Sequence, residues 1–207
     1  MRNKSYFFSL LLLGSVLTLH AQREETVLGE RGWGFSGIWG GYGHQYAQFG
    51  DNYAYTRGGF FTFEFGKALT VGWSNYRVDD KLRWDERPES PFSMRWNALK
   101  LGYALNGYKA IHPMIGLDLG RSKIQLDGVE DKALILVPSV GVEINVLRWF
   151  RVGLEGGYRW INDTDLAPLT SSQLSGVYGQ ANLKFGFSWG RHYNNKRKAS
   201  DRKKSYE

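Results

Sequence analysis

Trp149-Phe150-Arg151-Val152-Gly153-Leu154-Glu155-Gly156-Gly157-Tyr158-Arg159-Trp160 is the most regular stretch of this chain. In an extended backbone Phe150, Val152, Leu154, Gly156, Tyr158 and Trp160 share one side. Arg151, Gly153, Glu155, Gly157 and Arg159 share the other. A period of two with two chemically different faces specifies a β-strand and excludes an amphipathic helix.

The pattern spreads outward from there. Val177, Gly179, Ala181, Leu183, Phe185, Phe187 and Trp189 alternate with Tyr178, Gln180, Asn182, Lys184, Gly186 and Ser188. Leu134–Ile144 and Ile111–Leu119 repeat it, with Ser139, Gly141, Glu143, Asn145, His112 and Asp118 on the opposite face. Phe61, Phe63 and Phe65 lie opposite Glu64, and Leu69, Val71 and Trp73 opposite Thr70 and Ser74. A glycine-rich segment around Trp33–His44 completes a set of eight between residues 32 and 190. In the fourth segment the apolar set slips from Phe92, Met94 and Trp96 to Leu99, Leu101 and Tyr103, which predicts a bulge near Asn97–Ala98.

Connections alternate between short and long. The short ones are expected at Gly66–Ala68, Asn106–Tyr108 and Val146–Arg148. The last would set Ile144 opposite Phe150 and Glu143 opposite Arg151. The long ones are expected at about 46–55, 80–91, 123–132 and 162–173. Eight alternating strands with this rhythm predict an all-β fold: an antiparallel up-and-down transmembrane barrel with a packed polar interior. Pro113 and Pro138 lie inside strands and are expected at local irregularities, since proline lacks a ladder donor.

If the broad apolar face looks outward, the interior holds Glu64, Asp118, Glu143 and Glu155 with Arg95, Lys100, Arg151, Arg159 and Lys184. Acids and bases nearly balance, as buried ions must. Aromatic residues gather at both strand ends, as interfacial girdles do. Trp33, Phe65, Tyr103, Trp149, Phe187 and Trp189 lie at the short-turn end; Tyr76, Trp96, Tyr158 and Trp160 lie at the other.

Residues 1–21 read as a signal peptide, with Arg2 and Lys4 before the apolar run Tyr6–Leu19, and 22–31 as a short lead. The formal net charge of +7 belongs to this segment and to the tail 191–207. The tail carries Arg191, Lys196, Arg197, Lys198, Arg202, Lys203 and Lys204 against Asp201 and Glu207. Residues 23–190 carry 18 basic and 18 acidic groups. The tail is expected to be disordered, with contact to anionic lipid or a periplasmic protein as the alternative to plain solvation. Nucleic acid is not an expected partner.

Recognisable chemistry is sparse. There is no cysteine, which excludes disulfides and thiolate metal sites. Asn162, Asp163 and Asp165 lack the glycine and distal glutamate of a calcium loop. No cofactor or metal is expected. Eight strands enclose too little space for a water-filled pore.

On these strand segments the chain resembles the small eight-stranded outer-membrane barrels of Gram-negative bacteria. These are the OmpX- and OmpA-like group and the poorly characterised "outer membrane protein beta-barrel domain" members. The resemblance covers nearly all of 32–190 and is one of architecture. It implies periplasmic termini, short periplasmic turns, four surface loops, outer-membrane lipid around the barrel and insertion by the barrel-assembly machinery. Trp189 or Phe187 takes the place of the terminal aromatic residue which that machinery recognises. It further implies a non-enzymatic scaffold for surface interactions. The alternative is an accessory subunit of a secretion or assembly complex. Lipid A-modifying barrels offer a third reading, but none of His44, His112 and His192 is followed by the x-Ser-Asn of the deacylating type.

Overall fold

The computed structural model describes residues 34–84, 90–164 and 169–189. The expected signal peptide, Trp33 and the basic tail lie outside the described residues. The strands are β1 (Phe35–Phe49), β2 (Asn52–Phe65), β3 (Leu69–Leu82), β4 (Ser90–Ala104), β5 (Ile111–Leu126), β6 (Val129–Asn145), β7 (Phe150–Asn162) and β8 (Gly176–Ser188), with a one-turn helix α1 (Ser171–Leu174) before β8. Each strand pairs antiparallel with its sequence neighbour, and β8 returns to β1 through pairs from Gly37↔Ser188 to Ala47↔Tyr178. The barrel is closed, so no edge is left to template aggregation.

Closure fixes the stagger. The pairing row that starts at Gly37 passes Glu64, Thr70, Gly102, Gly116, Ser139, Gly157 and Tyr178, and returns to β1 at Ala47, ten residues beyond its start. Eight strands with that stagger tilt by roughly 40° and leave an interior that side chains fill. Inward glycines let the strands crowd together: a Cβ at Gly72 would sit 1.9 Å from the Phe61 carbonyl oxygen.

The short connections lie at the end where β1 begins and β8 finishes, here called the terminal end. Gly66–Ala68 forms as expected, joining Phe65 to its partner Leu69. The other two are longer than expected. Ile144 pairs with Val152 rather than Phe150, so residues 146–149 form the loop and Glu143 lies opposite Gly153. Ala104 pairs with Met114 across a loop of 105–110. Both changes are even-numbered shifts, so they keep apolar residues opposite apolar ones.

At the distal end, two of the four expected long loops are tight hairpins. Gly50-Asp51 links Phe49 to Asn52, and Asp127-Gly128 links Leu126 to Val129. Asp127 and Gly128 have φ of 49° and 85°, the left-handed turn whose twist matches the strands it joins. Only the β3–β4 and β7–β8 connections are long.

The bulge expected at Asn97–Ala98 is absent: the β3–β4 register runs unbroken from Leu69↔Tyr103 to Leu82↔Ser90. The prolines need no bulge either. The Pro113 carbonyl accepts from Leu105 just beyond the end of β4, and its nitrogen faces the same way, where the ladder has finished. Pro138 sits where pairing to β7 is interrupted between Leu136↔Trp160 and Ser139↔Gly157, with the register unchanged on both sides.

Candidate functional site

The inward face has two zones. Near the terminal end it is ionic. Glu64 on β2 accepts from Ser36 Oγ at 3.2 Å, Trp39 Nε1 at 3.1 Å and Arg151 Nη1 at 3.2 Å, and from the Ser188 hydroxyl. Arg151 also donates to Glu143 at 3.0 Å, and its guanidinium lies 3.7 Å from the Trp39 ring centre. Glu143 further binds Lys184 and approaches His112 Nε2 at 3.5 Å. Above them Asp118 bridges Lys100 at 3.0 Å and Ser74 at 2.6 Å, and Glu155 accepts from Asn182. Two acids and two bases from β2, β6, β7 and β8 thus share protons across the lumen. Each of these four ions has a partner of opposite sign, as do Lys100 and Asp118, which offsets the several kcal/mol that an unpaired buried ion costs.

Toward the distal end the interior is apolar. Phe49, Val78, Leu82, Trp84, Phe92, Met94, Trp96, Ile124, Leu126, Ile135, Ile161 and Leu174 are buried there. Phe92 meets both Phe49 and Trp84 edge-on, and Tyr76 stacks on Trp96 at 5.5 Å. The expected polar lumen is therefore corrected to a polar half and an apolar half. Arg159 lies at 0% exposure within the apolar half. Among the described residues no carboxylate binds it. Its guanidinium donates to the Leu174 carbonyl at 2.9 and 3.0 Å and to the Gln48 carbonyl at 2.7 Å, above the Phe49 ring. The last carbonyls of α1 carry partial negative charge and suit a cation. Arg159 is thus a strut that pins the β7–β8 connection to β1.

Three expected positions change face. Arg95 points outward and is exposed, not part of the lumen. Tyr76 and Trp96 point inward at 3% and 2% exposure, so neither belongs to a girdle. For Arg95 and Trp96 the cause is the missing bulge, since inward residues of β4 remain inward through Asn97–Ala98 and only their chemistry changes; Tyr76 lies on β3, where the alternation that turns Leu69, Val71 and Trp73 outward turns it inward. Glu64, Lys100, Asp118, Glu143, Arg151, Glu155, Arg159 and Lys184 all face in. Trp149, Trp160, Phe187 and Trp189 are exposed on the outside, and Phe65, Tyr103 and Tyr158 are half-buried outward residues. Trp189 packs edge-on to Phe35 at 5.0 Å, and Tyr158 lies 5.0 Å from Trp160.

The outer face carries a belt of exposed Phe61, Trp73, Leu119, Val140, Leu154 and Phe185 with their neighbours. Inside, an interior cavity of about 20 Å³ touches Thr62, Thr70, Lys100, Ser139, Glu155 and Lys184. That is room for about one water, not a channel. Of the histidines, His44 is exposed and bonds Tyr55, while His112 Nδ1 lies 3.2 Å from the Lys109 carbonyl. Neither contact supplies a nucleophile.

No family model and no curated protein matches the chain. Solved structures do. Neisserial surface protein A aligns with a TM-score of 0.53 and 14% identity over 72% of this chain and 96% of that one. The N-terminal β-barrel domain of Pseudomonas aeruginosa OprF aligns with a TM-score of 0.50 and 10% identity over 73% and 97%. This is a small eight-stranded barrel of the outer-membrane type. At such identities the barrel shares with them a fold, and its interior contacts are its own. Two of those contacts escaped sequence reasoning: the Trp39 ring under Arg151 and the carbonyls that hold Arg159. Trp39 lies in the glycine-rich first strand, whose faces were poorly marked, and a backbone acceptor leaves no trace in side-chain identity.

Proposed function

We propose that the chain is a non-catalytic integral barrel of a Gram-negative outer membrane, with both termini in the periplasm and the distal end at the cell surface. The single observation that supports this reading is the pairing of an exposed apolar belt with an interior of mutually satisfied ions. In water that arrangement leaves a large apolar surface wet. In a bilayer it buries it, while the closed sheet pairs each strand with a neighbour on both sides. The packed interior favours a scaffold over a conduit. Its presented surface comprises two tight hairpins, the β3–β4 connection, and the β7–β8 connection braced by Arg159.

The test is extraction. Membranes carrying the protein are washed with carbonate and high salt, then solubilised with mild detergent, and mobility is compared with and without boiling. The scaffold reading expects release only by detergent and a faster-migrating unboiled form. Release by carbonate would defeat it.

A further inference from the structure

The outward face of β2–β6 carries cations in a single pairing row. Arg57 pairs with Arg77, Arg77 with Arg95, Arg95 with Lys123, and Lys123 with Lys132. All five are exposed. Like charges directly opposite on adjacent strands repel, so four consecutive contacts of this kind work against the sheet. Local acids answer little of it. Glu130 reaches Lys123 at 2.7 Å and Asp79 reaches Arg77 only at 3.9 Å. Among the described residues Arg57, Arg95 and Lys132 have no acid within salt-bridge distance.

A second observation concerns the belt beneath the row. On β2, β3 and β4 the outward apolar run is short: Phe61–Phe65, Leu69–Trp73 and Leu99–Tyr103. On β6 it extends from Leu134 to Ile144. At about 3.3 Å per residue and a tilt of roughly 40°, the first group covers about 10 Å of height and the last about 25 Å, the full apolar band of such a barrel. On β2–β5 the belt edge is itself a pairing row, Phe61, Trp73, Leu99 and Leu119, with each cation four residues beyond it on its own strand, whereas on β6 the belt runs on to Leu134, two residues from Lys132. Polar groups therefore descend on one side to a depth where the other side is still apolar.

We propose that the rung Arg57, Arg77, Arg95, Lys123 and Lys132 binds the phosphate groups of lipid headgroups and draws the leaflet down along the β2–β4 side. This rests on the membrane reading above. The five cations stand about 4.8 Å apart, a span of about 19 Å across the face, wide enough for more than one phosphate. Their long side chains can lie along the belt and keep their charge at headgroup level. A protein partner fits less well. Protein interfaces need an apolar or aromatic core, and beyond the belt edge the outer face of β3–β5 offers Asn75, Asp79, Ser93, Asn97, Arg121 and Gln125 around the cations.

The full-length protein in mild detergent is offered equal amounts of phosphorylated lipid A and the same lipid A stripped of phosphate, and bound lipid is counted by native mass spectrometry. A basic group near an anionic surface contributes about fivefold. The rung should therefore favour the phosphorylated form at least tenfold at low salt. Changing the five residues together to glutamine (Arg57→Gln, Arg77→Gln, Arg95→Gln, Lys123→Gln, Lys132→Gln) should abolish the preference with the basic tail left in place. Acetylation of the unmodified protein supplies a readout independent of that variant's folding: phosphorylated lipid should shield Lys123 and Lys132 but not Lys81. Equal binding of the two lipids, a preference that survives the five substitutions, or unshielded lysines would overturn the proposal. So would shielding by a heparin fragment or by a co-purified protein but not by lipid. Insertion into phosphatidylcholine vesicles is scored separately. Its failure sinks the membrane reading, whereas normal insertion without phosphate preference sinks only the rung.

Discussion

β4 contains both halves of the molecule. Its inward residues near the terminal end are Lys100 and Gly102; farther along they are Phe92, Met94 and Trp96. Its outward residues invert in the opposite sense, from Leu99 and Tyr103 to Arg95 and Ser93. The backbone does not change register between them. The medium outside dictates the filling inside. Where lipid surrounds the strands, apolar side chains look out and the lumen is left to ions. Where water surrounds β3–β5, the apolar side chains retreat to the lumen as in any soluble core. On the membrane reading proposed above, the distal part is filled like a soluble barrel and the terminal part like a membrane barrel.

The two halves should fail in different ways. The heaviest loss is expected from Glu143→Ala, which leaves the buried Lys184 without a carboxylate and Arg151 with Glu64 alone. A cost of about 3–5 kcal/mol is expected, read from urea unfolding in detergent. In the distal half Met94→Ala should cost about 2–5 kcal/mol by opening a cavity, with little dependence on salt. If Met94 faced lipid, the same change would be nearly silent. Arg159→Met keeps the length and removes the donors, leaving the Leu174 and Gln48 carbonyls without it. A loss of about 1–3 kcal/mol is expected, with faster proteolysis in the β7–β8 connection. Smallest is Arg95→Leu, expected within ±0.5 kcal/mol in detergent because it is a surface change. Were Arg95 in the lumen, as its neighbours in sequence suggest, the effect would be severalfold larger.

Much of this was legible in the sequence because a membrane barrel writes two faces into every strand. Ile111–Leu119 of β5, Leu134–Ile144 of β6, and nearly all of β7 and β8 are readable residue by residue, and the three-residue Gly66–Ala68 loop follows from matching faces. Periodicity does not, however, say which face is inside. At Asn97–Ala98 a bulge and a change of solvent produce the same letters, and the unbroken β3–β4 register excludes the bulge. The hairpins failed for a related reason. Residues 123–132 look like a loop because their outward side, Lys123, Gln125, Glu130 and Lys132, is polar, yet their inward side continues the core and Asp127-Gly128 is a turn signal; in 46–55 the outward side is Tyr46, Gln48, Tyr53 and Tyr55, and Ala47, Phe49 and Ala54 continue the core. In the ionic zone the identity of the charges was readable, but their partnerships were not. Glu64 meets Arg151 across 87 residues of chain, a contact only barrel closure creates.

The decisive measurement is a cysteine scan of β4, which is open because the chain has no native cysteine. Single cysteines from position 91 to 103 in vesicles are tested with a charged, water-borne maleimide and with oxygen as a lipid-phase relaxation agent on an attached spin label. Labelling by the maleimide is expected at 93, 95 and 97, oxygen contact at 99, 101 and 103, and neither at 92, 94, 96 and 98. Oxygen contact at 92, 94 and 96, with 93 and 95 silent to both probes, would mean that the strand turns over at its middle and that the inversion of its two faces does not exist.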